Sequence, residues 1–277
     1  MRPGTSRSWI RAGSVLAVIA ILPGLLAGCD SEDSSEGPGP VGPVGPQEPV
    51  GPVGEDDQGI PGSGTITSQT RDVADFDRIR FGSEGRVTVA HGDAASLTIA
   101  VDDNLQQFLE TSVSGGVLDI ATAEGVDIAP TEPPEFRIVA TSVLGIDLDG
   151  AGSIDVDAVG EDRFAVGLAG AGDITIRSVT VGELTLALTG VGSVTIAGTA
   201  DRQDATVAGM GIYDAAELES RHGDIAAAGT GEATVWVSET LDASAADSGS
   251  ISYFGEPTVT QDVSDLGAVN PLGPKQP

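Results

Sequence analysis

From about Gly145 onward, apolar residues fall at alternate positions in short runs, and each run is broken by a Gly-x-Gly that returns every 19–20 residues. Asp149-Gly-Ala-Gly152, Ala169-Gly-Ala-Gly172, Thr189-Gly-Val-Gly192, Ala208-Gly-Met-Gly211 and Ala228-Gly-Thr-Gly231 carry it. Ala246-Asp-Ser-Gly249 is a sixth copy with Asp247 in place of the first Gly. Two places before the pair stand Leu148, Leu168, Leu188, Val207, Ala227 and Ala245; four before it stand Ile146, Val166, Leu186, Ala205, Ile225 and Ala243. After the pair come Ile154/Val156, Ile174/Ile176, Val194/Ile196, Tyr213/Ala215, Ala233/Val235 and Ile251/Tyr253, with Asp155, Thr175, Thr195, Asp214, Thr234 and Ser252 between them. Alternation on both sides of a Gly corner predicts two half-buried strands per repeat.

Two architectures satisfy that pattern. In a β-solenoid each repeat is one coil, and equivalent residues stack at the ~4.8 Å strand spacing. In an antiparallel meander each repeat is a hairpin. The solenoid fits better: the corner recurs at nearly fixed length, Gly admits positive φ and close stacking, and Asn-Gly or Asp-Gly hairpin signals are missing from the corners. The fold class expected is therefore all-β, a β-solenoid of ~20-residue repeats following a disordered linker. Upstream, Ile79–Phe81, Val87–Ala90, Leu97–Val101, Val117–Ala121 and Phe136–Ala140 read as strands, less regular and suited to covering the first coil. Asp103-Asn-Leu-Gln-Gln-Phe-Leu-Glu110 reads as one or two helical turns with Asp103 as the cap.

The N-terminal segment follows other rules. Arg2, Arg7 and Arg11 precede the apolar run Ala12–Ala27, which Pro23-Gly24 interrupts, so residues 1–28 read as an export signal rather than a membrane span. Leu26-Ala27-Gly28-Cys29 resembles a bacterial lipobox, which predicts a lipidated (palmitate-type) Cys29 as the new N-terminus. Asp30, next to that Cys, resembles an inner-membrane retention signal of some bacteria. Residues 29–64 are an acidic, then Gly/Pro-rich linker. Gly39-Pro-Val-Gly42-Pro-Val-Gly45-Pro and Gly51-Pro-Val-Gly54 are collagen-like, but Glu48 and Asp57 stand where a triple helix needs Gly. A single-chain polyproline-II spacer fits better than a trimerising stalk, and leaves the oligomeric state open, a trimer included. Such a spacer of about 28 residues reaches ~85 Å at ~3.1 Å per residue. The solenoid is assigned to residues 65–267 and a tail to 268–277.

Composition narrows the partners. There are 42 acidic and 13 basic residues, and loss of Arg2, Arg7 and Arg11 with the signal takes the formal charge from -29 to -32. Nucleic acid is excluded as a partner by repulsion. One Cys excludes an intrachain disulfide framework and a multi-Cys metal site. Aromatics at 4% suit a narrow interior filled by Val, Ile, Leu and Ala.

The ordered set of motifs resembles the bacterial auto-transporter adhesin head, or GIN domain, family. The matching residues are the Phe76-Asp-Arg-Ile-Arg80 opening, Leu97-Thr-Ile-Ala-Val-Asp-Asp-Asn-Leu105, Gly116-Val-Leu-Asp-Ile120, the serial Gly-x-Gly strands, and Gly249-Ser-Ile-Ser-Tyr-Phe-Gly-Glu-Pro257. The resemblance spans about Gly64–Gly267 and implies a right-handed β-helix-like fold, an adhesion role, and no catalytic residues to carry over. Asp247 departs from the pattern and bears on the geometry of its corner.

No cofactor, metal site or catalytic residue is expected. His91 and His222 lie in unlike contexts, with Arg221-His-Gly-Asp224 read as a solvated turn, and no nucleophile elbow, phosphate loop or His-Glu-x-x-His is present. A polysaccharide lyase or hydrolase on a β-helix would need converging carboxylates and a base, and Arg177 is the one base in the outward columns beside the corners. Asp204, Asp224 and Asp242 stand five places before consecutive Gly pairs, forming either a ladder that draws a cation or a row of hydrated carboxylates. Trp236 and Phe254 share an outward column with Ala197 and Ala216, open to a ligand or covered by the tail from Asp265. The reading is a bacterial cell-envelope lipoprotein, bilayer-anchored and facing periplasm or exterior, that binds a glycan or protein and performs no catalysis. The alternatives are a polysaccharide-active enzyme and a structural or regulatory envelope protein.

Overall fold

The computed structural model describes residues 59–275; the export signal, Cys29 and the linker up to residue 58 lie outside the described residues. Strands dominate, and all but the short pair Ile60–Pro61 with Ile128–Ala129 join one 17-stranded sheet. The repeat strands pair in parallel with their equivalents one repeat away. That pairing rejects the hairpin meander, which would need antiparallel neighbours, and makes the domain a β-solenoid.

The apolar columns of the sequence are the interior. Leu148, Leu168, Leu188, Val207, Ala227 and Ala245 are partners in successive coils, and all are buried. Within one coil Phe164, Val166 and Leu168 point inward before the corner, Ile174 and Ile176 after it, and Val179 and Val181 along a third side. Each such side chain contributes about 1.5–3 kcal/mol over leaving it in water. The outward column Asp155, Thr175, Thr195, Asp214, Thr234 and Ser252 is equally in register.

The corners need Gly for a steric reason. Gly172 has φ +145°, and a Cβ there would overlap the carbonyl oxygen of Gly152 one coil earlier. At the departing corner Asp247 adopts φ +57°, a left-handed conformation that Asp tolerates better than most residues. Its carboxylate accepts a hydrogen bond from the Gly229 N–H at 3.2 Å.

Three features differ from the sequence reading. First, Arg78–Gly82 and Glu84–His91 form a coil of the stack itself, with Phe81 against Leu148 and Gly85 against Gly152. The covering role falls to Ile66–Arg71, Ser96–Asp102 and Leu109–Ser114, whose antiparallel pairs close that end. Second, the stack runs past 267: Thr258–Val263 and Ala268–Gly273 make a further coil around Asp265-Leu-Gly267, where Asp265 has φ +55°. Residues 268–273 are therefore strand, not tail, because Val269 packs on the core and the segment pairs with Ser250–Phe254. Third, the helical segment is one 3-10 turn, Gln106–Phe108, with Leu105 at its N-cap and no side-chain cap. Asp103 instead accepts a hydrogen bond from Ser63 Oγ at 2.6 Å.

Candidate functional site

The third side of each coil begins where the chain bends after the inward pair. Val159, Val179 and Leu218 anchor it inward, so the residues that follow each of them face solvent. Their register gives one outward column: Gly160, Thr180, Thr199, Glu219, then Trp236 and Phe254. Along it lies an open trough of about 530 Å³ edged by Asp162, Thr180, Asp201, Glu219 and Arg221. It shares Asp162 and Thr180 with a second space of about 860 Å³ reaching Leu144 and Arg163. Glu161 links both to a smaller hollow of about 280 Å³ beside His91 and Ser142.

The trough is acidic, and its charged edge is already organised. Arg163 pairs with Glu183 at 3.3 Å, and Arg221 donates to Glu239 at 2.8 Å. That hydrogen bond raises the pKa of the Arg221 guanidinium and lowers that of the Glu239 carboxyl. Ser142 Oγ donates to Glu161 at 2.6 Å. Threonine hydroxyls and free carboxylate edges on a rigid wall can hydrogen-bond a polar ligand laid along the stack.

The sequence-derived candidates fare differently. Asp204, Asp224 and Asp242 are partners in consecutive coils, as the spacing required. Arg202 spans two of them, 2.7 Å from Asp204 and 3.4 Å from Asp224. Its guanidinium is held protonated above its ordinary pKa, chiefly by the Asp204 hydrogen bond. Among the described residues no group of three or more His, Cys, Asp or Glu is arranged to hold a metal ion. Arg177 is engaged with Asp155 at 3.1 Å and Asp157 at 3.5 Å. His222 lies in the strand Met210–Ala227 rather than a turn, its Nδ1 2.8 Å from Thr240 Oγ1, because the strand runs through that bend to pair with both neighbours.

Trp236 and Phe254 are adjacent in register and half-buried. The partner of Trp236 in the preceding coil is Glu219 rather than Ala216, because residues 216–218 bulge without partners in the next coil. Lys275 covers both rings, its Nζ 4.7 Å from the Phe254 centroid and 5.9 Å from that of Trp236. Both rings remain partly exposed beneath that lysine.

Two groups escaped the sequence reading. Asp102, fully buried, accepts hydrogen bonds from Gly64 N–H, Thr131 N–H and Thr131 Oγ at 2.7–2.9 Å and so ties the start of the domain to its cap. Inside the stack Tyr213 Oη donates to Gln203 Oε1 at 3.0 Å, and Gln203 Nε2 to Ser220 Oγ at 2.7 Å. Ser220 Oγ then donates to the Trp236 carbonyl at 3.0 Å. The available signal was parity: Gln203 stands two places before the inward Ala205.

Comparison with known proteins is consistent with this architecture. A family model described as "Putative auto-transporter adhesin, head GIN domain" matches residues 75–257. A crystal structure of a "putative adhesin" from Bacteroides fragilis is 23% identical, with a TM-score of 0.74, covering 77% of this chain and 100% of its own. A "putative lipid binding protein" from Parabacteroides distasonis is 24% identical, with a TM-score of 0.64, covering 77% and 99%. A "putative adhesin" from Parabacteroides merdae is 18% identical, with a TM-score of 0.63, covering 77% and 98%. No curated protein matches the chain significantly.

Proposed function

The chain belongs to the auto-transporter adhesin head GIN domain family, and from that premise we propose that it is a lipid-anchored protein of the bacterial cell envelope that binds a surface ligand through one outer wall of its solenoid. The observation that carries this reading is the outward column Thr180, Thr199, Glu219, Trp236 and Phe254, which runs from the acidic trough to an aromatic pair on a rigid stack. Parallel coils fix these side chains one strand spacing apart, so a ligand meets a preorganised surface and little ordering opposes binding. The three relatives described above are named as adhesins or as a lipid-binding protein.

Cys29 is the anchor in this reading, and the Gly/Pro-rich segment that precedes the Ile60–Pro61 strand is a polyproline-II spacer between anchor and domain. No helix among the described residues is long and apolar enough to cross a membrane. Two measurements test the proposal. Cys29→Ser should move the protein out of the membrane fraction; retention there refutes the lipid anchor. A glycan array probed with native chain and with Thr199→Arg, which fills the trough, should show binding that the variant loses at least about tenfold. Binding unaffected by Thr199→Arg, with Trp236→Ala equally silent, places the ligand elsewhere. Turnover of a bound polysaccharide would favour the enzyme instead.

A further inference from the structure

The bulge at residues 216–218 breaks the ladder to the next coil, and Ala216 has no register partner in either neighbouring coil. Lys275 fills that place. Its ammonium donates to Ala216 O at 2.8 Å and to Glu217 Oε1 at 2.7 Å while lying over Phe254 and within 5.9 Å of Trp236. A carbonyl, a carboxylate and two aromatic faces converging on one nitrogen supply hydrogen-bond, Coulombic and cation–π stabilisation together. The regular repeat builds nothing of the kind, and Lys275 is the one lysine in a chain of 42 acids and 13 bases.

We propose that Ala216 O, Glu217, Trp236 and Phe254 form a lysine-binding site that Lys275 occupies in cis, and that it accepts a lysine side chain of a basic partner protein when that segment lifts. This rests on reading the Trp236–Phe254 wall as a binding surface. The choice of partner follows from the seated group, which is itself a lysine, and from the net charge of -29, which draws basic segments toward the acidic wall. The cis lysine competes at an effective concentration in the millimolar range or above, because the strand Ala268–Gly273 ends two residues before it. The site is thus screened against weak ammonium ligands and open to a partner that also engages the trough.

The test uses the full chain carrying Trp9→Phe, in which Trp236 is the one remaining tryptophan. Nα-acetyl-lysinamide is titrated while Trp236 fluorescence is read. Lys275→Gln should bind this probe at least about tenfold more tightly than the unaltered latch. The Nε-acetylated probe should give no saturable response, and adding Glu217→Gln should abolish the gain. If Lys275→Gln fails to fold, Lys275→Ala, which leaves the strand Ala268–Gly273 intact and clears both rings, serves in its place. A folded variant with no saturable response, or with equal response to both probes, overturns the site. Glucosamine binding as tightly as the lysine probe overturns the choice of a protein lysine. A lysine response in the variant, with the glycan array unaffected by Thr199→Arg and Trp236→Ala, would refute the trough reading while keeping this site.

Discussion

The buried Tyr213–Gln203–Ser220 chain allows a quantitative test of how the interior is held together. All three side chains are fully buried, and each hydrogen bond is the only one the phenol and the amide oxygen make among the described residues. Burial pushes the Tyr213 phenol well above its ordinary pKa, so the group stays neutral. Tyr213→Phe leaves Gln203 Oε1 buried without a donor, which costs roughly 1–3 kcal/mol. Gln203→Leu leaves the Tyr213 hydroxyl without an acceptor at a similar cost, whereas Ser220 keeps the Trp236 carbonyl. The double variant removes both polar partners, so it should lose no more than about 1 kcal/mol. The coupling is then at least about 1 kcal/mol, and about 3 kcal/mol for single losses in the middle of that range, against ~0.5 kcal/mol for independent sites. In a domain of this size each single change should lower the melting temperature by about 4–8 °C, and the double change by less than either. Thermal and urea unfolding followed by far-ultraviolet dichroism would measure all four proteins. Additive losses would refute the account, since they would mean that the two groups find other partners or water.

Other consequences follow from the same geometry. Gly172→Ala should lose roughly 2–4 kcal/mol, because a Cβ at φ +145° meets the Gly152 carbonyl. Gly160→Ala, which meets nothing within 4 Å, should stay within about 0.5 kcal/mol on the same denaturation assay. Asp102 is pushed up by burial but pulled further down by the Thr131 and Gly64 hydrogen bonds, leaving its pKa below that of an ordinary aspartate. Its contribution to stability is therefore present above the unfolded-state value and is lost as pH falls through the lower folded one. Acid titration should show a loss of stability below about pH 4 that Asp102→Asn shrinks. Arg202→Gln should cost less than about 1 kcal/mol, since its partner Asp224 is largely exposed. Millimolar Ca²⁺ should leave the melting temperature of the native protein unchanged; a response would mean that Asp204, Asp224 and Asp242 bind the cation beside Arg202.

The regular part of the fold was legible because one physical rule writes it many times. An inward parity error would bury Asp155 or Thr175, so alternation fixes the columns, and close stacking fixes the glycines. Where another residue does the work of the first Gly, the rule is harder to see. Ser83-Glu-Gly85 is a corner of the same stack, but Ser replaces the Gly and an excursion of antiparallel cap strands separates it from Gly150. Asp265-Leu-Gly267 repeats the substitution already visible at Asp247, and both Asp residues take the left-handed φ that Gly supplies elsewhere. Asp102 had no periodic signal because it serves tertiary hydrogen bonds to residues 38 and 29 places away.

The candidate sites arise where coil length changes. Between Ala215 and Glu219 the coil gains residues that its successor lacks, and between Ser220 and His222 the successor regains one. A uniform 20-residue count therefore sets Trp236 above Ala216, among small side chains. The actual register sets it above Glu219, at the head of the Thr180–Thr199 trough. The same bulge exposes the Ala216 carbonyl and projects Glu217 toward Lys275. Regular coils satisfy every backbone group through their neighbours and present a uniform wall. A coil that is longer than its successor leaves polar groups unpaired, and those are the groups free to recognise something else. Deleting residues 216–218 should make the ladder to the next coil continuous, with Ala215 and Glu219 still opposite Val235 and Trp236, while removing the Lys275 contact and the pairs that Glu217 and Leu218 make with Ala197 and Gly198. A shortened protein that folds, yet still binds the lysine probe once Lys275→Gln is added, would show that the irregularity is not what builds the site.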